Sequence, residues 1–245
     1  RVHSARQARL AVLHAREAGF ENIGIDLIYG VPRQSDEQWR QTLDEVLRLQ
    51  PDHLSTYCLS ADAGSRLREE VRSGAVELPD EETVIGMYDH AVDRIEGSGF
   101  HHYELSNFAR PGRECRHNLA YWERNDYLGL GPGAASCIAN SRFENVADVA
   151  AYCDRLARGE TVIAAHEELT QDQVALEVLL LGIRMTAGID LGRFGERFGS
   201  EQRERLLERV RDIELLGLLE TKGGHLRLTR RGMVLAQEVL SRLAA

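Results

Sequence analysis

Apolar residues alternate between two spacings along this chain. Between Val2 and Ala18 they recur at helical intervals (Ala8, Val12, Ala15), and Gly19 sits where a helix would stop. Asn22 to Tyr29 is then a nearly continuous apolar run of strand length, which predicts a strand buried on both faces of a parallel sheet. Gly30 and Pro32 end it, and Ser35 with Gln38 forms a capping-box start for a helix to Leu49. The cycle repeats. His53 to Leu59 reads as a strand, a loop runs through Gly64 and Gly74, Pro79 opens a helix to Glu96, and Phe100 to Leu105 is a further strand. Helices alternating with short apolar strands imply βαβ units. Tyr127 to Ile138 adds one more strand, and Ala147 to Ala157 one more helix.

After Gly159 the texture changes. Thr170 caps a helix through Met185, a short helix covers Leu191 to Phe198, and Ser200 to Leu216 is amphipathic. Leu218 to Thr221 and His225 to Leu228 flank Gly223-Gly224, a hairpin signature, and Thr229 starts a terminal helix. The pattern predicts an α/β region over 1–160 and a helical, winged-helix-like domain over 161–245. The tail has no concentrated basic face, so it reads as a cap or partner surface and not as a DNA reader.

Composition adds limits. At 43% hydrophobic and 28% charged the chain is that of an ordinary globular protein. No apolar run approaches a membrane span, and a net charge of -9 excludes a general nucleic-acid surface. Lys222 is the only lysine, and arginine is scattered throughout. The four cysteines, Cys58, Cys115, Cys137 and Cys153, have no paired spacing, which fits reduced thiols and a cytoplasmic location. The abrupt start at Arg1 reads as one part of a longer protein.

Chemistry concentrates in Cys115-Arg-His-Asn-Leu-Ala-Tyr-Trp122. A thiol, an imidazole, an amide, a phenol and an indole in eight positions can hold a flat aromatic ligand with a metal at its centre. The same residues also suit a structural loop with an aromatic anchor. In parallel α/β folds, ligands gather at the carboxyl ends of strands. Asp26 lies there inside an apolar strand, so its carboxylate must meet a cation, hydroxyls or backbone donors. A ligand ribose and a buried arginine partner answer that need equally. Ser60 ends the second strand, while Glu104 and Asn107 are site candidates by position. The glycines of Leu128-Gly-Leu-Gly-Pro-Gly-Ala-Ala-Ser136 permit close backbone approach to a ligand. No zinc-spaced histidine pair and no Ser-His-Asp order occurs.

Together these segments resemble the radical S-adenosylmethionine proteins related to oxygen-independent coproporphyrinogen oxidase, and within them the haem chaperone branch. The resemblance covers essentially the whole chain. It rests on Gly19-Phe20, Asp26-Leu-Ile-Tyr-Gly30 with Pro32 and Gln34, Ser106 to Gly112, Cys115 to Trp122, and Tyr127 to Ala134. It implies the carboxyl-terminal part of a partial (β/α)6 barrel over 1–160, with S-adenosylmethionine and a [4Fe-4S] cluster, followed by the winged-helix-like domain. On that resemblance Arg1, Asp26, Ser60 and Ala135 match S-adenosylmethionine positions. His117, Cys115, Asn118, Tyr121 and Trp122 match the haem site, with His117 as ligand of the haem iron. The partners implied are haem and acceptor haemoproteins, with peripheral membrane association where those acceptors sit in membranes. Two departures stand out. The superfamily's Cys-x-x-x-Cys-x-x-Cys is absent, so this chain alone has no radical activity, and Ala135 stands where the family often has histidine. The alternatives are coproporphyrinogen III oxidation and a non-catalytic partner-binding fragment.

Overall fold

The computed structural model describes residues 4–244. The chain divides into two compact units, Arg1–Cys115 and Arg116–Ala245. The first contains α1 (Ala5–Glu17), β1 (Gly24–Tyr29), α2 (Asp36–Arg48), β2 (His53–Cys58), α3 (Arg66–Arg72), α4 (Glu81–Glu96), β3 (His101–Glu104) and β4 (Asn107–Ala109). Capping boxes start α1 at Ser4 and α2 at Ser35, and Asp80 accepts from the Thr83 N–H to start α4. The stretch read as a loop between Gly64 and Gly74 contains α3, capped by Ser65.

The sheet order is β1-β2-β4-β3. Strands β1 and β2 pair in parallel, as the pattern predicts. Where parallel pairing was expected to continue, β3 turns back at Leu105-Ser106, and β4 runs antiparallel to both β2 and β3. On one face α2 and α4 bury Trp39, Leu43, Met87, Ala91 and Ile95. The Trp39 ring lies 5.4 Å from that of Tyr29, and its Nε1 donates to the Met87 carbonyl at 2.8 Å. His102 stacks on Phe108 on the same side, at 4.2 Å. Strand β1 is therefore covered on one face and not on both. Leu27 and Tyr29 are buried, while Gly24, Asp26 and Ile28 alternate outward.

The second unit contains α5 (Arg116–Trp122), β5 (Ala135–Ile138), β6 (Ser141–Asn145), α6 (Val149–Ala157) and β7 (Ile163–Glu168). It continues with α7 (Gln171–Gly182), β8 (Ile189–Asp190), α8 (Leu191–Phe198), α9 (Ser200–Leu215), β9 (Leu219–Lys222), β10 (His225–Leu228), α10 (Arg230–Val234) and α11 (Ala236–Ala244). The stretch 127–138 is not one strand. Its first part is the glycine loop, and only Tyr127 bridges to Cys137 of β5. Strands β5, β6 and β7 form an antiparallel sheet. The division expected after residue 160 thus falls inside the second unit, because β7 pairs with a strand that precedes it.

The other sheet has order β8-β10-β9. Its hairpin turns on Gly223 and Gly224, at φ 60° and 81°, the pair of positive angles that a two-residue turn needs. Val174, Leu179, Val210, Leu226, Val239 and Leu243 fill the core between this sheet and α7, α9 and α11. The terminal helix expected from Thr229 breaks at Leu235 into α10 and α11.

Candidate functional site

In the first unit, the face of the sheet away from α2 and α4 carries the polar groups. Asp26, Ser55 and Asn107 follow one another across β1, β2 and β4 by register. Asp26 is exposed and makes no hydrogen bond or ion pair, so the partner that a buried carboxylate would require is not needed. Asn107 differs. Its Oδ1 is buried and has no donor. Glu104, 2% exposed, accepts from the Ser106 N–H at 3.1 Å. His53 Nε2 and the Tyr103 hydroxyl are 2.8 Å apart, and the same hydroxyl accepts the Cys115 N–H at 3.3 Å. Burial pushes the His53 imidazole below its ordinary pKa, while the charges of Asp26 and Glu114 pull it back up. Ser60 lies exposed beyond β2, its Oγ donating to Asp62 at 2.8 Å. Arg1 lies outside the described residues.

An exposed carboxylate and an unsatisfied buried amide oxygen on one face are acceptors. Hydroxyl and ammonium groups are the donors they suit. This part of the chain does not fit an iron–sulfur cluster. All four cysteines are free thiols, and no three of His, Cys, Asp and Glu converge on a metal position among the described residues.

In the second unit, the motif, one reading of which is a structural loop, forms helix α5. His117 is exposed and meets the Tyr121 ring edge-on at 4.9 Å, one turn along. Tyr127, from the glycine loop, backs Tyr121 at 4.6 Å. No hydrogen bond or ion pair engages the His117 ring nitrogens, so the imidazole is free to take a metal. Asn118 is half-buried on the same helix, and Cys115 immediately precedes it. Trp122 stands five positions from His117, about 140° around the axis. It does not join the tyrosines. The Arg184 guanidinium lies over its ring at 4.6 Å, and its Nε1–H is buried without an acceptor.

Two residues beyond helix α5 stands Arg124, whose φ of 52° is left-handed although it is not glycine. The Asn125 N–H donates to Ala120 O and the Arg124 N–H to Tyr121 O, closing the helix in a Schellman turn. The buried Arg124 side chain reaches Glu177 at 2.9 Å and the Ala139 carbonyl at 3.2 Å, and these bonds hold the turn in place. Arg142 also pairs with Glu177. Tyr127, Glu177 and Arg184 were missed by sequence reasoning, because no local spacing ties them to the motif.

The glycine loop is shaped by the chain itself. A Cβ on Gly129 would lie 2.2 Å from the Ala135 carbonyl oxygen, so this glycine is there to let β5 pass. The Gly129 N–H donates to Ser136 Oγ at 2.9 Å, and Asn145 Nδ2 donates to Gly131 O at 3.0 Å. Ala135 is exposed at the start of β5. Leu128 and Leu130, on the loop, are 61% and 84% exposed.

Comparison with known proteins gives a consistent assignment. The family described as HemN C-terminal domain matches residues 169–235. A protein named heme chaperone HemW from Mycobacterium tuberculosis is 37% identical over 99% of this chain, which covers 60% of that protein. The heme chaperone HemW of Bacillus subtilis is 34% identical over 98% of this chain and 63% of its own length. The chain thus spans about three fifths of the curated relatives it matches. Among solved structures, coproporphyrinogen III oxidase (HemN) from Escherichia coli, described as a radical SAM enzyme, superimposes with a TM-score of 0.74. It covers 98% of this chain and 59% of its own, at 20% identity, and that likeness is one of α/β fold. Residues 169–235 thus match the HemN C-terminal domain family, and along nearly its whole length the chain is similar to proteins named heme chaperone HemW.

Proposed function

We propose that this chain binds haem as cargo and passes it to acceptor haemoproteins. The observation that carries this reading is the exposed His117 imidazole, with free ring nitrogens, set edge-on against Tyr121, which Tyr127 backs in turn. Imidazole is a common axial ligand of haem iron, and the two phenol rings offer faces for the macrocycle. Cys115, Asn118 and Trp122 complete the motif. The names of the curated relatives, heme chaperones, support the same reading. Titration of the chain with hemin, followed at the Soret band, tests it. His117→Ala is expected to lose or shift the band, and identical spectra for the two proteins would remove His117 as the ligand.

On the first unit, we infer that Asp26 and Asn107 accept hydrogen bonds from S-adenosylmethionine, with Arg1 and Ser60 as further contacts; Ala135, in the second unit, is the remaining position that the resemblance implies. That group brings a sulfonium-bearing nucleoside, and this chain contributes acceptors for its hydroxyls and ammonium. The sheet β1-β2-β4-β3 would be part of a partial (β/α)6 barrel, with β9 and β10 as the wing of the carboxyl-terminal domain. We place the protein in the cytoplasm. No described helix is long and apolar enough to cross a membrane, so acceptors held in membranes would be met from the surface.

The second reading is oxygen-independent oxidation of coproporphyrinogen III, favoured by the fold it shares with that enzyme. Anaerobic assay separates the two readings, since a chaperone forms no protoporphyrinogen.

A further inference from the structure

The second unit contains an open cavity of about 710 Å³ beside Trp122, lined by residues of α7, β8, α8 and β10. Its size suits a cofactor-sized ligand. Trp122, Phe194 and Phe198 supply aromatic surface, and Arg193, Arg197 and His225 supply charge and a metal donor. We propose that this cavity holds the flat, carboxylate-bearing, iron-centred macrocycle, with Arg193 and Arg197 taking its carboxylates and His225 Nε2 available to the metal. The inference rests on the haem reading above and adds to it a binding site separate from His117.

The chemistry of each group points the same way. His225 Nδ1 lies 3.2 Å from the Gly223 carbonyl oxygen. A carbonyl only accepts, so in the neutral ring Nδ1 carries the proton and Nε2 keeps its lone pair. That is how protein histidines are oriented towards metals. Arg197 lies on the ring of Phe198 at 5.0 Å and has no carboxylate partner among the described residues. Arg193 is 87% exposed, with only a 3.7 Å approach to Asp190. Two acidic groups also line the cavity, and both are engaged. Asp190 accepts the Gly192 and Arg193 N–H groups at 2.8 and 3.0 Å, and Glu123 accepts the Asn125 amide at 2.9 Å. The guanidinium groups are thus left for an anionic ligand, for which their planar fork is suited. Trp122 ties the cavity to the motif, since it closes the motif's sequence and turns its ring away from His117.

The test is a titration of the full chain with hemin and, separately, with metal-free protoporphyrin IX. An Arg193→Gln/Arg197→Gln variant is expected to bind both about tenfold more weakly or worse, the loss due to two charge-assisted bonds. His225→Gln is expected to move the Soret maximum of bound hemin and to leave protoporphyrin IX affinity unchanged. Circular dichroism confirms that the variants fold, and the two arginines are exposed, so no core is disturbed. Unchanged hemin affinity in the arginine variant overturns the site, and an unmoved Soret band in His225→Gln overturns the ligand. If the wild type takes up no hemin, the haem reading itself falls and this inference with it. If the arginine variant binds hemin as the wild type does while His117→Ala loses it, the haem reading stands and only the cavity is excluded.

Discussion

At the scale of single residues, burial departs from what local sequence implies in both directions. Asp26 sits among Ile25, Leu27, Ile28 and Tyr29 and reads as buried, yet β1 is covered on one face only and the carboxylate faces outward. His53, in contrast, is half-buried, and its imidazole titrates below its ordinary value because of desolvation. The unfolded chain takes a proton near pH ~6.5, which the folded ring resists until the pH falls further. Between those two values the unfolded state binds more protons, so stability falls as pH is lowered through that window. His90 is shifted in the same direction, also by burial, and adds to the slope. His53→Gln is expected to flatten the decline of the thermal midpoint on acidification, and an unchanged slope would refute the assignment. Gly129→Ala tests a different constraint. Its Cβ would press on the Ala135 carbonyl, and a loss of about 1–3 kcal/mol in urea unfolding is expected. If the loop bends to admit the methyl group at no measurable loss, the close approach is not what fixes glycine there.

At the scale of elements, the long periodic segments were legible and the short ones were not. Helices α2, α4 and α9 follow from spacing, with the capping box at Ser35 and with Pro79 marking where the first two begin. Strand β4 escaped notice because only three residues follow a two-residue turn without glycine or proline. Strand β7 escaped because all six of its residues are exposed, leaving no apolar alternation to read. The candidate site was legible as a set of residue types and not as an arrangement. Helix α5 places His117 with Tyr121, and turns Trp122 to another side, which only a helical period reveals. The packing of α2 offers a direct test. Trp39 is fully buried and hydrogen-bonded to α4, so Trp39→Ala is expected to cost about 3–5 kcal/mol. A much smaller loss in equilibrium unfolding would mean that the first unit does not depend on this contact.

At the scale of the whole molecule, the four cysteines are dispersed free thiols and form no cluster-binding set. Anaerobic incubation with iron and sulfide is therefore expected to leave no stable [4Fe-4S] absorbance, and one cluster per chain would contradict the dispersed free thiols. Hemin uptake should be independent of that treatment. The two units differ in construction. The first is a sheet lined by helices on one face, and the second combines two small antiparallel sheets with a helical core. One consequence comes from the sheet order, which ends at β1. Its outer backbone groups pair with no strand among the described residues, and a terminal strand of this kind is a template for another chain. Self-association through it would grow with the square of protein concentration. Dilution would therefore reverse it.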